Sequence, residues 1–269
     1  MDWKTLAHRC VEIAIKAGEA IERIAKEPLD VKHKQDSSPV TQADLKSETL
    51  IKEAIQRLAG VGFDVPILSE ESVDSFDAAT DLYWCIDPLD GTKEFIHKTG
   101  DYTVNIALIQ HGQPIIGVVH APQAHVTYYA YPEGGAWKIG PKGAQQIQVR
   151  KPNPDHLTIL LSRFHTDPKL LNLMKGIKGV ELNQLGSAIK FCAIAEGRAD
   201  LYPRLTPCRD WDVAAAHCVL RASGGEILNL DLQPIRYNKQ DPWLIPGFLA
   251  VGSVDHPWES FASALKNVT

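Results

Sequence analysis

Two acids three residues apart follow directly on an apolar run in Trp84-Cys85-Ile86-Asp87-Pro88-Leu89-Asp90-Gly91-Thr92. Pro88 fixes one φ angle, and Gly91 lets the chain turn where a Cβ would clash. The strand should therefore end in a tight turn that aims Asp87 and Asp90 at one point. Two anions so placed repel each other, and their pKa values rise. A divalent cation between them removes the conflict. Ligands that are all oxygen suit magnesium or manganese rather than zinc. The amides of Gly91 and Thr92, at the start of a helical turn, would favour a phosphate. An isolated Asp-Pro is usually a β-turn or a helix cap. The whole D-P-x-D-G-T unit is much rarer.

Further acids stand at element ends. Leu68-Ser69-Glu70-Glu71 closes an apolar run, and Trp211-Asp212 opens an Ala-rich helix. Singly, Glu70 and Glu71 read as a solvated loop, and Asp212 as a complement to a helix dipole. Together with Asp87 and Asp90 they read as one converging set. The five cysteines contain no C-x-x-C pair and are expected to be free thiols.

The elements that must position these groups are visible in the periodicity. Leu6, Cys10, Ile13, Ala17, Ala20, Ile21 and Ile24 form a helical stripe ended by Pro28. A polar loop holds Lys32, Lys34, Gln35, Asp36, Ser37, Ser38 and Pro39. A second helix starts near Thr41, with Thr41-Gln-Ala-Asp44 as a capping box, and is stopped by Gly60 and Gly62. Strands are expected at 66–69, 82–87, 103–110, 115–120 and 126–131, the middle pair joined by a hairpin turn. Trp137 reads as a hairpin side chain packed on the sheet. Past residue 150, strands at 158–162, 180–183 and 199–202 alternate with helices at 168–174, 187–195 and 211–222. Runs 226–229 and 248–251 read as two further strands. The expectation is an α+β half over 1–150 and an α/β half over 151–269.

Composition sets limits. The chain has 269 residues, 44% hydrophobic and 23% charged, as in an ordinary globular protein. Net charge is −5, which speaks against a nucleic-acid polymer as partner. No apolar run reaches the roughly 18 residues of a membrane span. The start Met1-Asp2-Trp3-Lys4 lacks a signal-peptide layout, so a cytoplasmic location is expected, with peripheral attachment to a bacterial inner membrane as a further reading.

The set Glu70-Glu71, Asp87-Pro-Leu-Asp-Gly-Thr92 and Trp211-Asp212-Val-Ala-Ala215 resembles the inositol monophosphatase superfamily, in order, from Thr41 to Gly224-Gly225. The resemblance implies a layered α-β-α-β-α sandwich with the site between the halves. It implies a magnesium-dependent phosphatase with two or three ions and sensitivity to lithium. By motif, Glu70, Asp87 and the Leu89 carbonyl would hold the first metal. Asp87, Asp90 and Asp212 would hold the second. Thr92 would orient and deprotonate the attacking water, with Glu70 also catalytic. Asp44 would pair with Thr92 or support a weaker third metal.

Three segments look like the bisphosphate nucleotidase branch, whose substrate is adenosine 3′,5′-bisphosphate and whose setting is sulfur metabolism. They are Ser162-Arg163-Phe164-His165, Gly186-Ser187-Ala188-Ile189-Lys190 and Ala199-Asp200-Leu201-Tyr202-Pro203-Arg204. Arg163, His165, Lys190 and Arg204 could meet a second phosphate. Asp90, Gly91, Thr92, Lys93, Gly186, Ser187 and Asp212 complete the expected substrate contacts. Phe164 stands where that branch would have a smaller polar residue, and Cys208-Arg209-Asp210 also departs from it. Lys190 could equally be a solvated lysine, Arg204 a loop cap and His165 a structural histidine. The alternatives are a phosphatase for inositol monophosphate or a sugar phosphate, and a non-catalytic sensor of metal and nucleotide. Either a monomer or a homodimer fits.

Overall fold

The structure, a computed structural model, describes residues 2–34, 38–59, 64–76, 80–237 and 243–268. Helix α1 (Trp3–Ile24) opens the chain and buries the expected stripe from Leu6 to Ile21. Its first turn is capped by Asp2, whose carboxylate accepts the Thr5 amide at 2.8 Å. A ribbon of β1 (Val31–His33) and β2 (Pro39–Thr41) takes in Lys32 and Pro39, which the sequence placed in a loop, because the two short segments pair antiparallel. Gln35, Asp36 and Ser37 of that loop lie outside the described residues. Helix α2 (Gln42–Ala59) begins on the capping box. Asp44 Oδ2 accepts the Thr41 amide at 2.8 Å, and Thr41 Oγ1 accepts the Ala43 amide at 3.1 Å. Gly60 and Gly62, read as the stop of α2, lie outside the described residues.

Seven strands make the first sheet: β3 (Ile67–Ser69), β4 (Leu82–Asp90), β5 (Thr103–Gln110), β6 (Gln113–Ala121), β7 (Val126–Tyr131), β8 (Gly135–Gly140) and β9 (Gly143–Ile147). They lie in chain order, with β3 parallel to β4 and the rest antiparallel. Short helix α3 (Thr92–Ile96) interrupts the chain after β4. The last two strands were not legible in the sequence, because their Gly, Lys and Gln content masks the alternation. Trp137 on β8 stacks on Tyr129 of β7 with centroids 6.4 Å apart, as a hairpin side chain should.

The second half runs β10 (Leu157–Ser162), α4 (Pro168–Lys175), β11 (Val180–Leu185), α5 (Ile189–Ala195), β12 (Leu201–Arg204), β13 (Cys208–Arg209), α6 (Asp210–Ala222), β14 (Glu226–Asn229), β15 (Leu244–Ile245), β16 (Phe248–Val251) and α7 (Glu259–Lys266). Its five-stranded sheet has the order β11-β10-β12-β16-β14. Helix α5 starts at Ile189 and not at Ser187, because Ser187 takes a left-handed conformation with φ 46°.

Side-chain alternation explains the stacking of layers. On β4, Trp84 and Ile86 join the core beneath α1 and α2, while Tyr83 and Cys85 join the core that holds α5 and α6. On β10, Leu160 faces that same central core, while Ile159 and Leu161 pack with α4 and α7. The result is an α-β-α-β-α sandwich in which α6, from the second half, rests on the first sheet. A trough of small side chains admits it: Ala107, Gly117, Ala130 and Ala136 are cross-strand neighbours over β5 to β8. A Cβ at Gly117 would collide with the Ala215 carbonyl and lie 2.6 Å from Cys218 Cβ. Cys10, Cys85, Cys192, Cys208 and Cys218 are all free and buried. Among the described residues no helix is long and apolar enough to cross a membrane.

Candidate active site

Strand β4 carries Asp87 into the interior, 1% exposed, and a register shift between Asp87 and Asp90 turns the chain. The turn is held from inside. The Leu89 amide donates to Asp87 Oδ1 at 3.0 Å, and the Ser47 hydroxyl of α2 donates to the Pro88 carbonyl at 2.7 Å. Gly91 has φ 91°, a conformation in which only glycine is unstrained, and it launches α3 at Thr92. The Thr92 hydroxyl donates to Asp44 Oδ1 at 3.0 Å, and the Leu89 carbonyl lies 3.3 Å from the same hydroxyl. Asp212 stands in the first turn of α6, where its Oδ2 accepts the Arg209 amide at 3.0 Å. Asp90 Oδ2 accepts the Ala188 amide, from the other half, at 2.6 Å.

These elements bring one carboxylate oxygen each of Asp87, Asp90 and Asp212 within 4.8 Å of one another. Glu70 starts a 3₁₀ turn straight after β3, whose Ser69 is in register with Ile86, so it enters beside Asp87. Glu71 is not a solvated loop residue; its side chain is 5% exposed. Lys34 Nζ reaches both glutamates, at 2.7 Å from each. Sequence reasoning placed Lys34 only in a polar loop. Its partners are 36 and 37 residues away, and no local signal links them.

Burial drives the electrostatics, and mutual repulsion adds to it. Burial first, then Glu70, Asp90 and Asp212, hold the Asp87 carboxyl well above its ordinary range. Burial and the neighbouring Asp212 push Asp90 up to about 7, with Lys190 opposing. Burial and Glu70 push Glu71 up to about 7. Glu70 and Asp212 are also raised, chiefly by burial. An all-oxygen group of repelling carboxylates suits a hard divalent cation.

This repulsion sets a pH dependence. A carboxyl whose pKa is raised on folding stabilises the fold below its unfolded value, and that contribution is lost as pH rises through the folded value. For Asp90 the window runs from 3.8 to about 7. In a chelator, the thermal midpoint should therefore be several degrees lower at pH 8 than at pH 5.5, a size set by about 2–4 °C per kcal/mol for a chain of this order. Magnesium should restore most of the loss at pH 8 and little at pH 5.5. A midpoint indifferent to both pH and magnesium would refute the reading.

Basic groups share the cleft with the acids. Lys93, His165, Lys190 and Arg204, with Ser187, line the same cleft of about 240 Å³ as Glu70, Asp87, Leu89, Asp90, Gly91, Thr92 and Asp212. Lys190 is 3% exposed, donates to the Ser187 carbonyl at 2.7 Å, and lies 4.9 Å from the centroid of the Tyr202 ring. Arg204 Nε donates to the Thr206 carbonyl at 2.9 Å. His165 Nε2 is 3.2 Å from Lys93 Nζ. Burial, then Lys93, Arg204 and Lys190, push His165 down to about 4, so the ring is neutral at pH 7. Glu94, overlooked in the sequence, also lines the cleft and is 3% exposed. Arg163 and Gly186 do not line it; both donate to Asp101. Asp44 sits behind Thr92, 2% exposed.

The sequence matches the inositol monophosphatase family over residues 2–254. The 3′(2′),5′-bisphosphate nucleotidase CysQ of Escherichia coli (strain K12) is 42% identical over 241 residues, covering 88% of this chain and 96% of that protein. The CysQ of Haemophilus influenzae is 31% identical over 260 residues, covering 95% and 96%. Among solved structures, CysQ from Bacteroides thetaiotaomicron superposes with a TM-score of 0.78 at 35% identity, covering 92% of this chain and 97% of that one. An inositol monophosphatase from Zymomonas mobilis gives a TM-score of 0.78 at 20% identity, covering 98% of both, which is a likeness of fold alone.

Proposed function

The chain belongs to the inositol monophosphatase family, and from that membership we propose that it is a magnesium-dependent 3′(2′),5′-bisphosphate nucleotidase. It removes the 3′-phosphate of adenosine 3′,5′-bisphosphate to leave AMP, and acts likewise on the 5′-phosphosulfate analogue. One observation carries this reading. The carboxylates of Asp87, Asp90 and Asp212, drawn from both halves, line one cleft together with Lys93, Lys190 and Arg204. A monophosphate needs only the acids of such a cleft. A second phosphate accounts for the cations.

Glu70, Asp87 and the Leu89 carbonyl would hold one magnesium ion, Asp87, Asp90 and Asp212 a second, and Asp44 would support a third. When bound, these ions neutralise the acids and lower the pKa of water to the range of a nucleophile. The protein supplies the rest by position. The Thr92 hydroxyl gives its hydrogen to Asp44, so its lone pairs are free to accept one from the attacking water. That hydrogen bond orients the water for in-line attack on phosphorus, with no covalent phosphoenzyme. Burial raises Asp44, which makes it a better proton acceptor behind Thr92. Glu70, raised chiefly by burial, would act as the second base. Lys190 and Arg204 hold the non-reacting phosphate, and neutral His165 accepts from Lys93 or from a ribose hydroxyl.

The test is phosphate release from adenosine 3′,5′-bisphosphate and from inositol 1-phosphate, each with and without magnesium. Faster turnover of the nucleotide, dependent on magnesium, is expected. Preference for the inositol ester would move the assignment within the family, and binding without turnover would indicate a sensor. Lys190→Ala should raise KM for the bisphosphate about 10-fold or more, since hydrogen bonds to charged groups contribute roughly 1.5–3 kcal/mol. An unchanged KM would remove Lys190 from the phosphate site. A cytoplasmic location remains part of the proposal. Peripheral attachment to the inner membrane finds no support in the relatives and is not carried forward.

A further inference from the structure

Asp101 takes no part in the chemistry above, yet it ties the two halves together beside the cleft. Its Oδ2 accepts the Arg163 guanidinium at 2.6 Å and the Gly186 amide at 3.0 Å. Arg163 directly follows β10, and Gly186 directly follows β11. Two residues beyond Gly186, the Ala188 amide meets Asp90 at 2.6 Å. Between these two anchors Ser187 is held at φ 46°, a conformation that costs a non-glycine residue energy and persists only when its surroundings impose it. Gly186 is fitted to the anchor: a Cβ there would lie 2.6 Å from Glu94 Cγ and 2.7 Å from Asp101 Cβ. The Ser187 carbonyl so positioned accepts Lys190 Nζ at 2.7 Å. On the other strand, the Arg163 anchor fixes the chain two residues before His165, whose ring meets Lys93 at 3.2 Å.

We propose that Asp101 is a positioning residue: with Arg163 it forms a clamp that presents Lys190 to the non-reacting phosphate, and His165 to the ribose, of a bisphosphate substrate. Arg163, in this arrangement, does not bind phosphate itself. The guanidinium and carboxylate side chains are 35% and 18% exposed, so the pair is shielded enough to hold a defined geometry. The proposal rests on the bisphosphate reading. It assigns the clamp to substrate discrimination and leaves the reacting centre to the acids.

The experiment compares Asp101→Ala, Asp101→Asn and Arg163→Ala on two substrates that share a reacting 3′-phosphate, adenosine 3′,5′-bisphosphate and adenosine 3′-monophosphate. Asp101→Ala and Arg163→Ala should each raise KM for the bisphosphate about tenfold and leave kcat within about twofold. Constants for the monophosphate, which keeps only the ribose contact, should change much less. Asp101→Asn keeps an acceptor for the Gly186 amide, so its loss should be smaller. The double variant should be no worse than the worse single one, because both residues act through one contact. Equal losses on both substrates would overturn the clamp in favour of general destabilisation. Tighter bisphosphate binding in Asp101→Asn, with weaker binding in Arg163→Ala, would overturn it in favour of Arg163 as a direct ligand. A wild type that does not prefer the bisphosphate would overturn the nucleotidase reading itself, whereas unaltered variants of a wild type that does would sink the clamp alone.

Discussion

Asp87→Asn should cut turnover by about 10³-fold or more while the fold stays intact, a loss of the size seen when a charge-stabilising group leaves a reacting centre. Asp87 is 1% exposed and is crowded by Glu70, Asp90 and Asp212. Its charge therefore costs the metal-free protein stability. The amide is isosteric, and its Oδ1 can keep the Leu89 amide as donor. The variant should melt no lower than the wild type in a chelator at pH 8, and should gain much less on adding magnesium. Phosphate release, far-ultraviolet circular dichroism and the two melting curves check this together. Retention of full activity would remove Asp87 from the reacting centre.

Gly117→Val should destabilise the protein by about 3 kcal/mol, a drop of roughly 6–12 °C in the thermal midpoint. The reason is steric and local. Helix α6 lies directly on the trough at Gly117, where any Cβ collides with the Ala215 carbonyl. The helix must lift, and Asp212, three residues before Ala215, must lift with it. Activity should fall even under conditions where the variant is folded, and more magnesium should be needed to reach half of the maximum rate. A variant with the wild-type midpoint and magnesium dependence would show that α6 does not need this close approach.

Much of the site was legible because its chemistry is local. Asp87 to Thr92 form one turn, whose proline and glycine announce it. Asp212 sits at the start of a helix with an unmistakable Ala-rich face. The apolar runs of β4 to β7 and β10 likewise reveal strands, but these are buried on both faces, so the layers followed from the family resemblance and not from the pattern. What was hidden depends on partners distant in the chain. Lys34 belongs to an irregular loop and finds Glu70 only through the fold. Asp101 and Arg163 are 62 residues apart, so the arginine read as a free cation although a carboxylate already engages it. Ser187 fits a helical pattern by residue type, yet its anchored neighbours impose a left-handed turn. Gly117 is an unremarkable glycine in a strand until α6 is laid across it.

Asp90 is bonded to the Ala188 amide across the junction of the two halves and belongs to the cluster of acids as well. The same group therefore serves two masters, and the six-residue turn that contains it is not a portable module. Transplanted onto another scaffold, Asp87 to Thr92 would lack the backbone donor that aims one of its acids, and would bind ions loosely without hydrolysing an ester. The activity should be inherited or lost with the whole sandwich, and an engineer who wished to move it would have to carry the α5 approach along with the turn.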